Sequence, residues 1–147
     1  MKKIAILFCT GLILYSCAKV PLTGRNQLAL VSNEEIQPLV DEQYDEVLKK
    51  DKVVTNTADG QKVLKLGKRM ATAVENYLVS QGYKELADSF DWEFNLLESD
   101  QVNAWCMPGG KVAFYTGIMP LTETETGIAV VMGHEIAHAV ASHSAER

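Results

Sequence analysis

Two histidines one helical turn apart stand near the end of this 147-residue chain, in the stretch His134-Glu135-Ile136-Ala137-His138. A helix turns about 100° per residue, so His134 and His138 project about 40° apart and one turn along the axis. Both imidazoles can therefore reach one metal ion. Glu135 lies about 60° from His138, where its carboxylate flanks the ion without having to ligate it. Zinc suits two imidazoles and an oxygen ligand, and it lowers the pKa of its water towards ~7. Glu135 would take the proton of that water as it attacks a peptide carbonyl, then hand it to the leaving amine.

Two histidines do not complete a zinc site. The spacing His-Glu-x-x-His-x-x-Gly-x-x-His would supply a third, but this chain has Ala141 and Ser144 at the last two of those positions. On a continuing helix His143 would lie about 180° from His134, and Glu146 ~12 Å beyond His138 along the axis, so neither joins. Glu98 and Asp100 are carboxylates upstream, with no spacing that argues for them. The expectation is a third ligand downstream of Arg147. The 147 residues would then be an incomplete, C-terminally truncated piece that holds metal weakly and is inactive by itself.

The helix carrying the motif must be positioned by something. Ile128-Ala129-Val130-Val131-Met132 is apolar on every side, which predicts a buried, central helix. Thr122-Glu123-Thr124-Glu125 offers a capping box at its start. Upstream, Asp91 to Leu96 alternates polar and apolar residues as a half-buried strand does. Val102–Met107 and Lys111–Thr116 are strand-like runs around Pro108-Gly109-Gly110, which predicts a hairpin or a tight-loop pair. Val63, Leu66, Gly67, Met70, Val74, Tyr77 and Leu78 form one helical stripe, with Met70 and Tyr77 in the core, and Gly82 ends that helix. Val40, Tyr44, Val47 and Leu48 mark an earlier helix near Lys50, with Ser32-Asn33-Glu34-Glu35 as a cap or Pro38 as its first turn.

The N-terminus reads as a targeting segment. Lys2 and Lys3 precede Ile4 to Tyr15, twelve residues that are apolar but too few for a membrane span, which needs ~20. Leu14-Tyr15-Ser16-Cys17 resembles a bacterial lipobox, in which Cys17 would be acylated and would anchor the chain in a membrane. With Cys9 removed and Cys17 lipidated, Cys106 is the remaining thiol of three and no intrachain disulfide can form. The divisions are a lipoprotein signal peptide at 1–16, a tether at 17–31, and at 32–147 the N-terminal part of one domain. Net charge is -5 with no basic stripe, which excludes nucleic acid as a partner.

The stretch from His134 to Arg147, with Asn103 to Lys111 and Tyr115-Thr116-Gly117, resembles the HtpX and CAAX-prenyl-protease type of zinc metallopeptidase, family M48. The resemblance implies an α+β, zincin-like fold: N-terminal helices, a small antiparallel sheet with an edge strand, and a buried central helix bearing the histidines. It implies one zinc ion, with His134 and His138 as ligands, a Glu from a later helix as the third, and Glu135 as catalytic base. Asn103-Ala104-Trp105 matches the edge strand on which relatives pair substrate backbone, a case of β-augmentation. The function implied is a metalloendopeptidase that cleaves unfolded or misassembled cell-envelope proteins. The lipobox would place it in a bacterial envelope, on an outer membrane facing the periplasm. The alternative is a non-catalytic envelope lipoprotein that binds unfolded peptides through its edge strand.

Overall fold

Thr57 starts the longest helix of the chain, accepting the Gly60 N–H on its side-chain hydroxyl at 3.2 Å. In the computed structural model this helix is α2, Ala58–Ser80. The described residues are 17–19, 22, 24, 26–28 and 33–142. Residues 1–16, read above as a signal peptide, and residues 143–147 lie outside them, as does the side chain of Cys17. In the stretch read as a tether, strands β1 (Cys17–Lys19) and β2 (Asn26–Leu28) pair as an antiparallel hairpin.

Helix α1 spans Asn33–Lys50 and contains Pro38. It begins five residues before the proline rather than at it. Pro38 sits early enough that its missing N–H removes one bond at the helix start. Helix α2 buries Val63, Leu66, Gly67, Ala71 and Leu78, and Gly82 follows it with φ +85°. Tyr77 is not core, being 54% exposed. Leu78 occupies the inward position, and its neighbour, about 100° round, turns to solvent. Gly67 lets α2 press onto the sheet, because a Cβ there would run into the ring of Phe94.

A short helix α3 (Lys84–Asp88) leads to strand β3 (Glu93–Leu97). Strand β4 (Ala104–Met107) follows, then a turn at Pro108–Gly110, then β5 (Lys111–Tyr115). Gly109 and Gly110 carry φ of +77° and +93°, which the turn needs and glycine supplies. The strand order is β3-β5-β4, with β5 central. The sheet is mixed rather than antiparallel: β5 runs parallel to β3 and antiparallel to β4. The chain passes from β3 to the far edge, turns back in the hairpin, and lays β5 into the gap alongside β3.

Phe94 and Leu96, Val112 and Phe114, and Ala104 and Cys106 share one face of the sheet. With Val63, Leu66 and Leu78 of α2 they build the core. Helix α4 (Met119–Thr122) precedes α5 (Glu125–Val140), the helix with the histidines. The cap of α5 is Thr124, whose hydroxyl accepts the Gly127 N–H at 3.1 Å. Thr122 instead closes α4, donating its hydroxyl to the Met119 carbonyl at 3.1 Å. Helix α5 is not covered on every side. It buries Ile128, Met132, Ile136 and Val140, while Val130 is 68% exposed. Burial repeats every fourth residue because one stripe meets the sheet and α2, whatever the hydropathy of the rest.

The final turn also differs from the sequence reading. Helix α5 ends at Val140 with a cap: Ala141 N–H donates to the Ala137 carbonyl, and Ser142 turns to φ +52°. Because α5 stops at Val140, helical phase does not fix the positions of His143 and Glu146, which lie outside the described residues.

Candidate metal centre and substrate edge

Because Ile136 points inward, His134, Glu135 and His138 fall on the flanks and outer side of α5. His134 is exposed, and Glu135 and His138 are half-buried. The two Nε2 atoms lie 3.0 Å apart, with ring planes at 85° and centroids 4.4 Å apart. Two nitrogens bound tetrahedrally at 2.0–2.1 Å from zinc would stand about 3.3 Å apart. The pair therefore fits two positions of a zinc site, in spacing and in donor chemistry. Among the described residues, no group of three His, Cys, Asp or Glu side chains gathers into a fuller set. Glu98 and Asp100 take no part. Glu98 pairs with Lys52 at 2.7 Å, and Asp100 sits in the loop after β3.

Strand β4 runs beside this helix. Asn103 is exposed just before it, Ala104 is buried, and Trp105 is half-buried. The Tyr115 N–H donates to the Asn103 carbonyl at 3.1 Å. In an antiparallel ladder the bonded pairs then alternate, so Trp105 and Met107 also turn their main-chain groups to β5. The N–H and C=O of Ala104 and Cys106 turn the other way. Because β4 ends the sheet, they face an edge on which no described strand pairs.

Side chains divide in the same rhythm. Ala104 and Cys106 project towards the core, while Trp105 projects from the opposite face, where Tyr44 of α1 meets it edge-on at 5.9 Å. Burial pushes the Cys106 thiol up to about 12, and the Glu135 carboxylate adds to the shift. Cys106 is thus a neutral packing group at ordinary pH, on a strand that packs directly against α5.

Sequence reasoning missed two features here. Lys111, 3% exposed, donates to Asp91 at 2.7 Å and Glu93 at 2.6 Å. Burial pulls its ammonium pKa down, but these two hydrogen bonds outweigh it and hold the group above its usual value. Asp91 and Glu93 share a strand-face spacing, and that was the available signal. The second is Tyr44, which no local pattern connects with Trp105.

The comparisons with known proteins bear on this site. The model of peptidase family M48 matches residues 65–147, from α2 through the histidine helix. The chain belongs to peptidase family M48. Within M48 it is 46% identical over 56 residues to mitochondrial metalloendopeptidase OMA1 of Schizosaccharomyces pombe, covering 38% of this chain and 17% of that protein. With OMA1 of Saccharomyces cerevisiae it shares 27% identity over 158 residues, 99% of this chain and 44% of the relative. With the beta-barrel assembly-enhancing protease of Yersinia pestis it shares 35% over 54 residues, 37% of this chain and 11% of that protein. The chain thus spans less than half the length of each of these M48 relatives.

These matches correct the reading of a bacterial envelope and outer-membrane location. The relative that matches 99% of the chain is a mitochondrial enzyme by name. Lysines ahead of a short apolar run are a pattern common to several targeting segments, and that pattern alone does not name a compartment.

Proposed function

We propose that this chain supplies the motif helix and substrate-pairing edge of a zinc metalloendopeptidase acting on extended segments of protein chains. One observation carries the reading: the Nε2 atoms of His134 and His138 converge to 3.0 Å on the helix that also bears Glu135, beside an open sheet edge. Membership of family M48 and the metalloendopeptidase names of its relatives support the same assignment. The zincin-like arrangement of helix and edge strand belongs to this proposal.

His134 and His138 would hold the zinc ion through Nε2, with a third protein ligand completing the set. Bound there, zinc supplies Lewis-acid polarisation of a peptide carbonyl. The Glu135 carboxylate accepts a proton from the attacking water and returns it to the departing amine nitrogen. The outward N–H and C=O groups of Ala104 and Cys106 pair with the substrate backbone, holding it extended. Asn103 and Trp105 flank that strand. Unfolded segments suit the site because a folded chain has already spent its backbone hydrogen bonds.

Glu135→Gln in the intact gene product tests the reading. Cleavage of an unfolded protein such as casein should fall at least 100-fold, the usual scale for a lost general base. Zinc content should stay unchanged, and His134→Ala should lose both. Equal cleavage by the Glu135→Gln protein would sink the assignment. The second reading, a binding module without catalysis, draws on the open edge alone. It requires peptide capture that survives chelation, with no cleavage at any metal loading.

A further inference from the structure

Helix α1 lies upstream of the residues matched by the family model, yet it touches the strand on which substrate capture depends. We propose that Tyr44 is a positioning residue: it braces Trp105, and through it the open edge of β4, for peptide addition. This rests on the edge-strand role given under Proposed function.

Tyr44 is 1% exposed on a helix that is otherwise largely solvated. A tyrosine buried that deeply needs a partner for its hydroxyl. The hydroxyl accepts from Asn95 Nδ2 at 3.0 Å, and Asn95 Oδ1 accepts from the Thr55 hydroxyl at 2.9 Å. Thr55 Oγ1 in turn accepts the Leu96 N–H at 3.1 Å. Tyr44 is thereby fastened to β3, the strand at the other edge of the sheet. Its ring crosses to meet Trp105 edge-on, with an interplanar angle of 89°. Trp105 Nε1 donates to the Tyr115 hydroxyl at 3.3 Å, closing the brace onto β5.

The brace lies on the face of the sheet opposite α5. Trp105 projects towards Tyr44, while Ala104 and Cys106 project towards the core that α5 shares. Loss of Tyr44 should therefore loosen the edge without touching the histidines or Glu135. An edge strand has a neighbour on one side only, so side-chain packing limits its fraying. Looseness there weakens peptide pairing, because the strand must be ordered again on each encounter.

The test uses the intact gene product carrying Glu135→Gln and Trp92→Phe, with phenylalanine at every other tryptophan except Trp105, so that Trp105 reports binding and no cleavage intervenes. An unstructured apolar peptide is titrated and Trp105 fluorescence followed. Tyr44→Leu should weaken capture about ten-fold, and Tyr44→Phe, which keeps the ring, should recover most of it. With Glu135 restored, Tyr44→Leu should raise KM by a similar factor and leave kcat and zinc content within about two-fold of the parent. If Tyr44→Leu does not fold, Asn95→Ala removes the anchor of the hydroxyl, and a two- to three-fold weakening, roughly, is expected. A folded Tyr44→Leu or Asn95→Ala protein that captures peptide as the parent does overturns the role of Tyr44 alone. A parent that captures no peptide overturns the edge-strand reading and this inference together.

Discussion

Along β3 the sheet is closed, and along β4 it is open. The outer groups of Leu96 are both taken: its carbonyl accepts the Val54 N–H at 2.8 Å and its N–H donates to Thr55 Oγ1 at 3.1 Å. Glu98 N–H donates to the Lys52 carbonyl at 2.8 Å, and Val53 bridges Leu97. The segment from Lys52 to Thr55 thus seals one edge with backbone and side chain. At the other edge Ala104 and Cys106 turn the same kinds of group to a side on which no described strand pairs, beside the helix with the histidines. Unpaired strand edges invite unwanted pairing, and folded proteins ordinarily block them. Here one edge is blocked and the other carries no described strand, on the side where the proposed chemistry stands.

The largest effect should come from breaking the closed edge. Val54→Pro removes the N–H that reaches Leu96 and leaves a carbonyl near the core without its partner. An unsatisfied buried group of this kind costs about 1–3 kcal/mol. Chemical denaturation should show that loss as a lower midpoint with the slope unchanged. Peptide capture, scaled to the folded fraction, should change far less than the roughly ten-fold expected of Tyr44→Leu, because, among the described residues, Thr55 alone links the seal to the Tyr44 brace. A Val54→Pro protein that keeps full stability would mean that the seal contributes nothing, and the contrast between the edges would lose its meaning.

How much of this was legible in the sequence follows from where each signal is written. The histidine spacing, the β4–β5 hairpin and the stripe of α2 are local, and each was readable from a few neighbouring residues. The parallel pairing of β3 with β5 was not, because it depends on which side of β5 each strand takes. The closure of β3 by Lys52–Thr55 was hidden for the same reason: about forty residues separate Thr55 from Asn95. Hydropathy misled twice. The apolar run in α5 promised burial on every side, and Tyr77 promised core, yet burial is decided by what packs against a position. At the candidate site, residue types and their phase were legible, whereas the neighbourhood of Cys106, Tyr44 and Lys111 required the fold.

The open edge can be challenged from the substrate side, with an effect of intermediate size. If peptides pair with Ala104 and Cys106, N-methylation of every second peptide nitrogen should matter in one phase only. Methyl groups on nitrogens that face β4 remove a hydrogen bond and insert bulk, so capture should weaken about ten-fold, or ~1.4 kcal/mol. Methyl groups on the alternate nitrogens, which face solvent, should change it little. Equal losses in both phases, read by calorimetric titration, would show that backbone pairing is not the mode of capture. Protein stability should be the same throughout, because the free edge bears on association and not on folding.

The smallest effect should come from Val102, 60% exposed at the approach to the open edge. A lysine there is a common guard against edge-to-edge pairing. Val102→Lys should alter stability by less than about 0.5 kcal/mol, as surface changes usually do. What it should change is company. Self-association at high concentration should fall in sedimentation experiments, and acidic peptides should gain over basic ones by roughly two- to three-fold at low salt, fading as ionic strength rises. The same substitution at Val53, 41% exposed on the sealed side, is its control. If Val53→Lys changed self-association and peptide preference as much as Val102→Lys, the two edges would be equivalent in solution and β4 would hold no special claim on substrate.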